Sequence, residues 1–429
     1  MAYAAYEHYK QSGIKTIGLM PQHWSIRRLK FMARIQNGKD YKGVVSHEGY
    51  PVIGSGGEFA KANTYLYNGE SVLLGRKGTI DRPLYINGPF WTVDTMFYTE
   101  ISADVSAKYL YYCSLTINFL KYATSTALPS MTQQDLGTIP FAVPEYDEQQ
   151  TIASFLNFKT AQIDALISKQ KALLDKLAEK RTALISHAVT KGLNPSVPMK
   201  DSGVAWLGEI PEHWKTKRLR FCMTTNPSKG EIKLGGEELV SFVPMDAVGE
   251  FGGLNIYVEK ELDEVGCGYT YFAEDDVVVA KITPCFENGK GAIARGLKNS
   301  IAFGTTELHV LRAGEMILPD YLFHLTMSHS FRCFGESEMY GAGGQKRVPE
   351  TFLKDFRIGL PPLSEQQYLV AYINKVNQRI DLQMRKTTNI ISRLTEYRSS
   401  LITNAVTGKI DVRDFSIPEQ RELQQTEYA

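Results

Sequence analysis

The sequence is poor in cysteine: Cys113, Cys222, Cys267, Cys285 and Cys333 are the only five in 429 residues, and no two form a C-x-x-C pair. A disulfide framework and a zinc ribbon both need paired, closely spaced cysteines, so neither is indicated and the five are expected as buried thiols. No apolar run approaches the roughly 20 residues that span a bilayer. The opening MAYAAYEHYK also lacks the basic-then-apolar order of a secretion signal, so no membrane partner and a cytoplasmic location are expected. Net charge is nearly absent: 48 Lys plus Arg against 47 Asp plus Glu leave +1, so bulk charge does not announce a nucleic-acid binder. Catalytic signatures are missing as well. There is no G-x-x-x-x-G-K-[ST] phosphate loop and no H-E-x-x-H helix, and Gly54-Ser55-Gly56-Gly57 is too short for a dinucleotide fingerprint. Neither Asn194-Pro195-Ser196 nor Asn226-Pro227-Ser228 makes the N-P-P-[FY] or D-P-P-[FY] tetrapeptide of amino-group DNA methyltransferases. No self-sufficient enzyme, catalytic residue, metal site or cofactor is expected in this chain.

What the sequence does have is a repeat. Residues 10–31, KQSGIKTIGLMPQHWSIRRLKF, align without gaps to 200–221, KDSGVAWLGEIPEHWKTKRLRF, with ten of 22 positions identical at an offset of 190. A second pair, VPEYDEQQ at 143–150 and LPPLSEQQ at 360–367, repeats at an offset of 217 and continues to Ala188-Val189-Thr190 and Ala405-Val406-Thr407. One unit is therefore written twice, and the variable stretch of the second copy is 27 residues longer.

From Glu148 to Val189 there is no Pro or Gly, while Leu156, Ile163, Leu177 and Leu184 fall on a seven-residue repeat with Ile152, Leu166 and Leu173 beside it. Such a pattern predicts a long helix with a coiled-coil seam. The second copy keeps the phase through Ile373, Ile380, Leu394 and Leu401, flanked by Leu369, Val376 and Ile390. Asp147 and Ser364, each three residues before a Gln, read as capping-box starts, and Lys191-Gly192 and Thr407-Gly408 as stops. Each helix would be about 60 Å long at 1.5 Å per residue. Both seams are interrupted at one place, by Gln170 and Thr387; packed antiparallel, the two would meet and fix the register, or both would simply face solvent.

The G-x-x-P-x-H-W segments read as structural joints, with Trp24 and Trp214 covering the start of each variable stretch and Pro21 and Pro211 fixing a turn. Packing or capping suits His23 and His213 better than general-base work, because no catalytic constellation is visible beside them. The middles mix short apolar strands, such as Ser71–Leu74 and Val277–Ala280, with short helices at 108–120 and 319–328. The fold class is thus α/β (α+β): two mixed α/β domains joined by two long antiparallel coiled-coil helices with pseudo-twofold symmetry. The expected boundaries are 1–146 and 193–362 for the domains, 147–192 and 363–410 for the helices, and 411–429 for a C-terminal tail.

Two variable domains, each followed by a P-x-x-x-E-Q-Q helix and preceded by G-x-x-P-x-H-W, resemble the specificity subunit of a type I restriction-modification system. The resemblance covers nearly the whole chain. It implies that each middle is a target-recognition domain reading one half of a split, asymmetric site on double-stranded DNA. The helices become an antiparallel spacer that docks two methyltransferase subunits, which bind S-adenosylmethionine and methylate adenine N6. Restriction subunits using ATP and Mg would join the same complex, and this chain would supply no chemistry. Removing a matched heptad from both helices, about 10 Å, would then shorten the gap between half-sites by close to 3 base pairs.

Base edges are read by Arg, Lys, Asn, Gln and hydroxyl side chains on loops. In the first domain these criteria select Arg76 and Lys77 in LGRKGT, with Ser130, Thr132 and Gln133. In the second they select Lys281, at the end of the Val277 strand, and the loop Gly343, Gly344, Gln345, Lys346 and Arg347. The plainer alternatives are solvated cations and an ordinary glycine-rich surface turn. At the level of the whole chain, the rival is a scaffold holding other proteins along a helical rod without touching DNA.

Overall fold

Between Pro144 and Gly192 the chain contains neither proline nor glycine, and a single helix of 46 residues runs from Tyr146 to Lys191. A second, of 44 residues, runs from Leu363 to Val406. Both stop where a glycine takes a left-handed conformation, Gly192 at φ +73° and Gly408 at φ +70°. At Gly408 a Cβ atom would also lie 2.2 Å from the Pro21 ring, so only glycine lets the helix end pack there. The starts differ from the capping-box expectation. The Gln149 amide already donates to the Glu145 carbonyl (3.0 Å), and the amides of Glu365 and Gln366 donate to Pro362 (both 2.9 Å), which puts Asp147 and Ser364 inside the first turn. Pro144, Pro361 and Pro362 set the entry instead.

The computed structural model describes residues 3–124, 129–342 and 344–417. The chain divides into two units, one of Met1–Lys171 with Thr388–Ala429 and one of Ala172–Thr387, and the division falls within both long helices. In the first unit a four-stranded antiparallel sheet runs in the order Leu84–Ile86, Ser71–Gly75, Met96–Ile101, Ala33–Asn37. A five-stranded sheet follows the order Val45–Ser46, Gly57–Ala62, Tyr50–Gly54, Pro89–Thr92, Tyr67–Asn68, with Tyr50–Gly54 parallel to Pro89–Thr92. The second unit repeats the plan. Its antiparallel sheet is Gly291–Ile293, Val277–Ala280, Leu308–Ala313, Met223–Thr225. Its mixed sheet is Glu259–Glu261, Leu239–Val243, Ile301–Gly304, Thr270–Ala273, without a counterpart to Val45–Ser46.

In each unit the start of one long helix packs with the end of the other, so the pair is antiparallel. Ile152, Phe155, Leu156 and Ile163 share the first unit's core with Leu401, Ile402, Ala405 and Val406; in the second unit Ile185, Ala188 and Val189 join Leu369 and Ile373. Each unit carries the same interhelical ion pair with the partners exchanged. Arg398 grips Asp164 through two bonds (2.8 and 3.1 Å) in the first, and Arg181 bonds Asp381 in the second. The seam is narrower than the heptad reading implied. Leu156, Ile163, Leu177, Ile373, Ile380 and Leu401 are buried, but Leu166, Leu173 and Ile390 are exposed. Two helices covering only each other bury one line of side chains, whereas near the ends a domain adds a second layer over Ile152 and Phe155. Thr387 is buried in the second unit and Gln170 half-buried in the first.

The duplicated motifs meet at one joint per unit. Trp24 is fully buried, and its indole N–H donates to Glu148 Oε1 (3.1 Å) while His23 Nε2 lies 2.8 Å from Glu148 Oε2 and the Tyr6 hydroxyl donates to Oε1 (2.7 Å). Trp214 and His213 hold Glu365 likewise, though both meet one oxygen: the Trp214 indole N–H donates to Oε2 (3.1 Å) and His213 Nε2 lies 2.6 Å from it. The next residue is a buried Gln that splices three backbone groups. Gln149 accepts from the Ser106 amide (2.9 Å) and donates to the carbonyls of Asp104 (3.2 Å) and Pro144 (3.0 Å); Gln366 accepts from Leu318 and donates to Met316 and Pro361 (all 2.9 Å). A buried tyrosine closes each joint: the Tyr109 hydroxyl donates to Ala142 (2.6 Å) and approaches Val406 O (3.4 Å), and the Tyr321 hydroxyl approaches Val189 O (3.2 Å) and Gly359 O (3.5 Å).

The sequence-level reading of the thiols needs correction. Cys113 and Cys222 are buried, Cys285 is half-buried, and Cys267 and Cys333 are exposed, because the last two fall on turns or helix faces away from any core. The helix expected over 108–120 is two pieces, Ala107–Ser114 and a 3₁₀ turn at Phe119–Lys121.

Candidate nucleic-acid interface

Strand Ser71–Gly75 lies in the first unit's core and ends at a position where a Cβ would sit 2.4 Å from the Thr79 carbonyl oxygen. Only glycine permits the chain to double back there, and that turn lifts Arg76 and Lys77 out of the sheet. The amides of both donate to Thr95 O (2.8 and 3.2 Å), the Gly78 amide donates to Pro129 O (2.9 Å), and the Met131 amide to Arg76 O (2.9 Å). Lys77 and Ser130 form an isolated antiparallel bridge. The structure therefore brings Arg76, Lys77 and Ser130 together although 54 positions separate the ends of that group.

Their side chains are differently disposed. Arg76 and Lys77 are exposed; the Arg76 guanidinium reaches Asp94 O (3.3 Å) and lies 5.9 Å from the centre of the Phe97 ring. Ser130 Oγ is 2.8 Å from Thr124 Oγ1. Thr132 caps helix Gln133–Thr138, accepting from the Asp135 amide (3.1 Å) and donating to its carboxylate (2.6 Å), so its hydroxyl is already engaged twice. Gln133, an exposed residue, donates through Nε2 to Ile35 O (3.0 Å).

The second unit repeats the backbone pattern with other side chains. Strand Val277–Ala280 is followed by Lys281, whose carbonyl accepts from the Val348 amide (2.8 Å), the bond that Met131 makes to Arg76 in the first unit. Ile282 bridges Arg347 as Lys77 bridges Ser130. Lys281 thus stands where Arg76 stands, and Arg347 where Ser130 stands. The glycine-rich segment forms the tip of this feature: Gly344 has φ +77°, the Gln345 amide donates to Ala342 O (3.2 Å), and Lys346 exchanges bonds with Thr283. Gly343 lies outside the described residues.

Arg347 is held by Glu307 through two parallel bonds, from Nε (2.9 Å) and Nη2 (2.7 Å), and this pairing pushes the Glu307 carboxyl below its ordinary pKa. A cleft of about 470 Å³ opens beside it, lined among others by Lys229, Lys281, His309, Tyr340 and Arg347. His309 is buried, and its Nε2 faces the Val348 carbonyl oxygen at 2.9 Å, so Nε2 carries the proton. Burial lowers its pKa and keeps the ring neutral near pH 7. Sequence reasoning selected Lys281 and Arg347 but missed Glu307, His309 and Tyr340. Nothing local marks Glu307, which reaches Arg347 across 40 residues; Tyr340, beside the glycine run, carried the only usable signal. Among the described residues no three His, Cys, Asp or Glu side chains gather as a metal site requires, and no helix is long and apolar enough to cross a membrane.

A family model described as the type I restriction modification DNA specificity domain matches residues 21–176 and 249–392. The type I restriction enzyme EcoEI specificity subunit of Escherichia coli is 38% identical over 207 residues, 48% of this chain and 34% of that protein. The EcoAI specificity subunit of Escherichia coli is 36% identical over 221 residues, 51% of this chain and 37% of that protein, so the matches span about a third of these two relatives. The MjaVIII specificity subunit of Methanocaldococcus jannaschii is 23% identical over 454 aligned residues, 96% of this chain and 99% of its own length. A solved chain described as "Structural basis underlying complex assembly and conformational transition of the type I R-M system" shares the fold, with a TM-score of 0.67 over 91% of this chain and 99% of that one, at 13% identity. Two variable domains on a duplicated joint, and a family model matched over most of the 429 residues, lead to one assignment: the chain belongs to the type I restriction-modification DNA specificity family.

Proposed function

We propose that this chain is the non-catalytic address unit of a type I restriction-modification complex, reading an asymmetric, two-part site on double-stranded DNA. The observation that carries the reading is a contrast within each unit. The joint is the same in both, down to the carboxylate held by His and Trp, while the side chains displayed at the end of the equivalent strand differ: Arg76, Lys77 and Ser130 against Lys281 and Arg347. A constant mount with changed tips suits two readers of unlike half-sites. In this reading two methyltransferase subunits bring S-adenosylmethionine, and restriction subunits bring ATP and Mg. Arg347, fixed in plane by Glu307, is the best-prepared donor for a guanine edge.

The competing scaffold reading is separated by salt. Duplex affinity of the chain with its methyltransferase partner should fall linearly in log–log terms as salt rises, one unit of slope for about each phosphate neutralised. Binding that is absent, or indifferent to salt, would favour the scaffold.

A further inference from the structure

The duplicated segment has ten identical positions, and the fold accounts for most of them. Gly13, Gly18, Gly203 and Gly208 have positive φ, the Ser12 and Ser202 hydroxyls turn the chain, and Trp24, Leu29, Trp214 and Leu219 are buried. His23 and His213 hold their glutamates. Phe31 and Phe221 are different. Both are large, apolar and kept in the two copies, yet they are 60% and 62% exposed. Each ends a 3₁₀ turn, Leu29–Phe31 and Leu219–Phe221, whose leucine points inward and whose phenylalanine points out.

A single exposed phenylalanine needs no explanation. The same one, at equivalent positions in both copies of a chain whose neighbouring domains have diverged, has no role inside either unit. The surroundings also match in charge. Arg27, Arg28 and Lys30 flank Phe31, with Asp104 bonded to Arg27 (2.7 Å), and Lys217, Arg218 and Arg220 flank Phe221, with Asp355 bonded to both arginines. Lys30 sits 4.9 Å from the centre of the Phe31 ring. Each unit therefore presents one aromatic knob within three cations and one carboxylate.

We propose that Phe31 and Phe221 are the anchors by which each unit docks one copy of the same partner, the methyltransferase subunit, through a pocket for a phenyl ring rimmed by carboxylates. This rests on the function proposed above. Two identical partners require two like surfaces, and the repeat supplies them outside the variable tips. Buried aromatic anchors at the centre of an interface commonly account for a thirtyfold or larger share of affinity, about 2 kcal/mol.

Native mass spectrometry of the chain co-expressed with its methyltransferase partner tests this. Wild type should carry two partners, Phe31→Asp one, Phe221→Asp one, and the double variant none, while Phe31→Tyr and Phe221→Tyr keep two. Unfolding midpoints should stay at the wild-type value, since neither ring is in a core. A double variant that still holds two partners overturns the proposal. So does one that holds both partners but loses duplex affinity, which would assign the knobs to DNA. A wild-type chain that captures no methyltransferase overturns the underlying functional reading, and this proposal with it.

Discussion

The two units share a joint and, apart from the edge strand Val45–Ser46, a strand order, but differ in how the second makes room for a longer variable segment. The offset between equivalent residues is 190 at Phe31 and Phe221, 205 at Arg76 and Lys281, and 217 at Met131 and Val348. The joint tyrosines Tyr109 and Tyr321 stand at an offset of 212, so the 27 additional residues enter in at least three steps, 15 before the central strand, 7 between it and that tyrosine and 5 beyond, and none disturbs the order of the shared strands or the buried glutamine. Insertions are tolerated in the connections between shared strands and helices because loop closure costs little per added residue, whereas the joint is fixed by backbone groups that the buried glutamine satisfies. The lesson is a division between a mount that cannot vary and tips that can.

Breaking that mount should give the largest effect. Gln149→Leu leaves one amide and two carbonyls buried without partners, and should cost about 3 kcal/mol or more; Gln366→Leu should cost the same in the second unit. Urea midpoints of the two variants check this, and unequal losses would show that the joints are not equivalent.

The second effect distinguishes the units. Tyr112 of the first bonds Asn157 (3.3 Å) and Thr160 (3.2 Å), whereas His324 of the second bonds Asn374 (3.0 Å), the residue equivalent to Asn157. Burial lowers the His324 pKa from 6.5 to about 4. Unfolded chains take up the proton below pH 6.5 while the folded unit refuses it, so the neutral form's stability is complete above pH 6.5 and declines as pH falls toward 4. The loss should approach about 3 kcal/mol at the low end of that window. His324→Tyr, which installs the first unit's residue, should remove that component of the acid sensitivity; an unchanged pH profile of the unfolding midpoint would refute it.

The smallest effect concerns the helices. Asp164→Asn and Asp381→Asn each remove one partly exposed interhelical ion pair and should cost about 0.5 to 1 kcal/mol, less at high salt. The bidentate Arg398 pair should show the greater loss in thermal melts.

Much of the frame was legible in the sequence because it rests on local signals. Absence of Pro and Gly, heptad spacing and the glycine stops located both helices to within a few residues, and strand Val277–Ala280 stood out as an apolar run. The purpose of the E-Q-Q motif was not legible. Glu148 meets His23 across 125 residues, and Gln149 binds backbone groups that carry no residue-type signature, so a carboxylate partner for the histidine went unseen. Leu166, Leu173 and Ile390 misled for the opposite reason: periodicity marks a helix face, but it does not say whether anything covers it. At the tips, Lys281 and Arg347 were found as cations, while the Glu307 clamp that orients Arg347 depends on strand pairing that residue order does not reveal.

The most direct test of the central claim is the methylated motif itself. Genome-wide methylation sequencing of cells carrying this chain with its methyltransferase partner, compared with cells carrying the Lys281→Ala/Arg347→Ala variant, should yield a split adenine-modified site. Its two halves should be unlike, and the variant should relax the bases of one half only. A contiguous motif, or a variant that alters both halves together, would contradict the account.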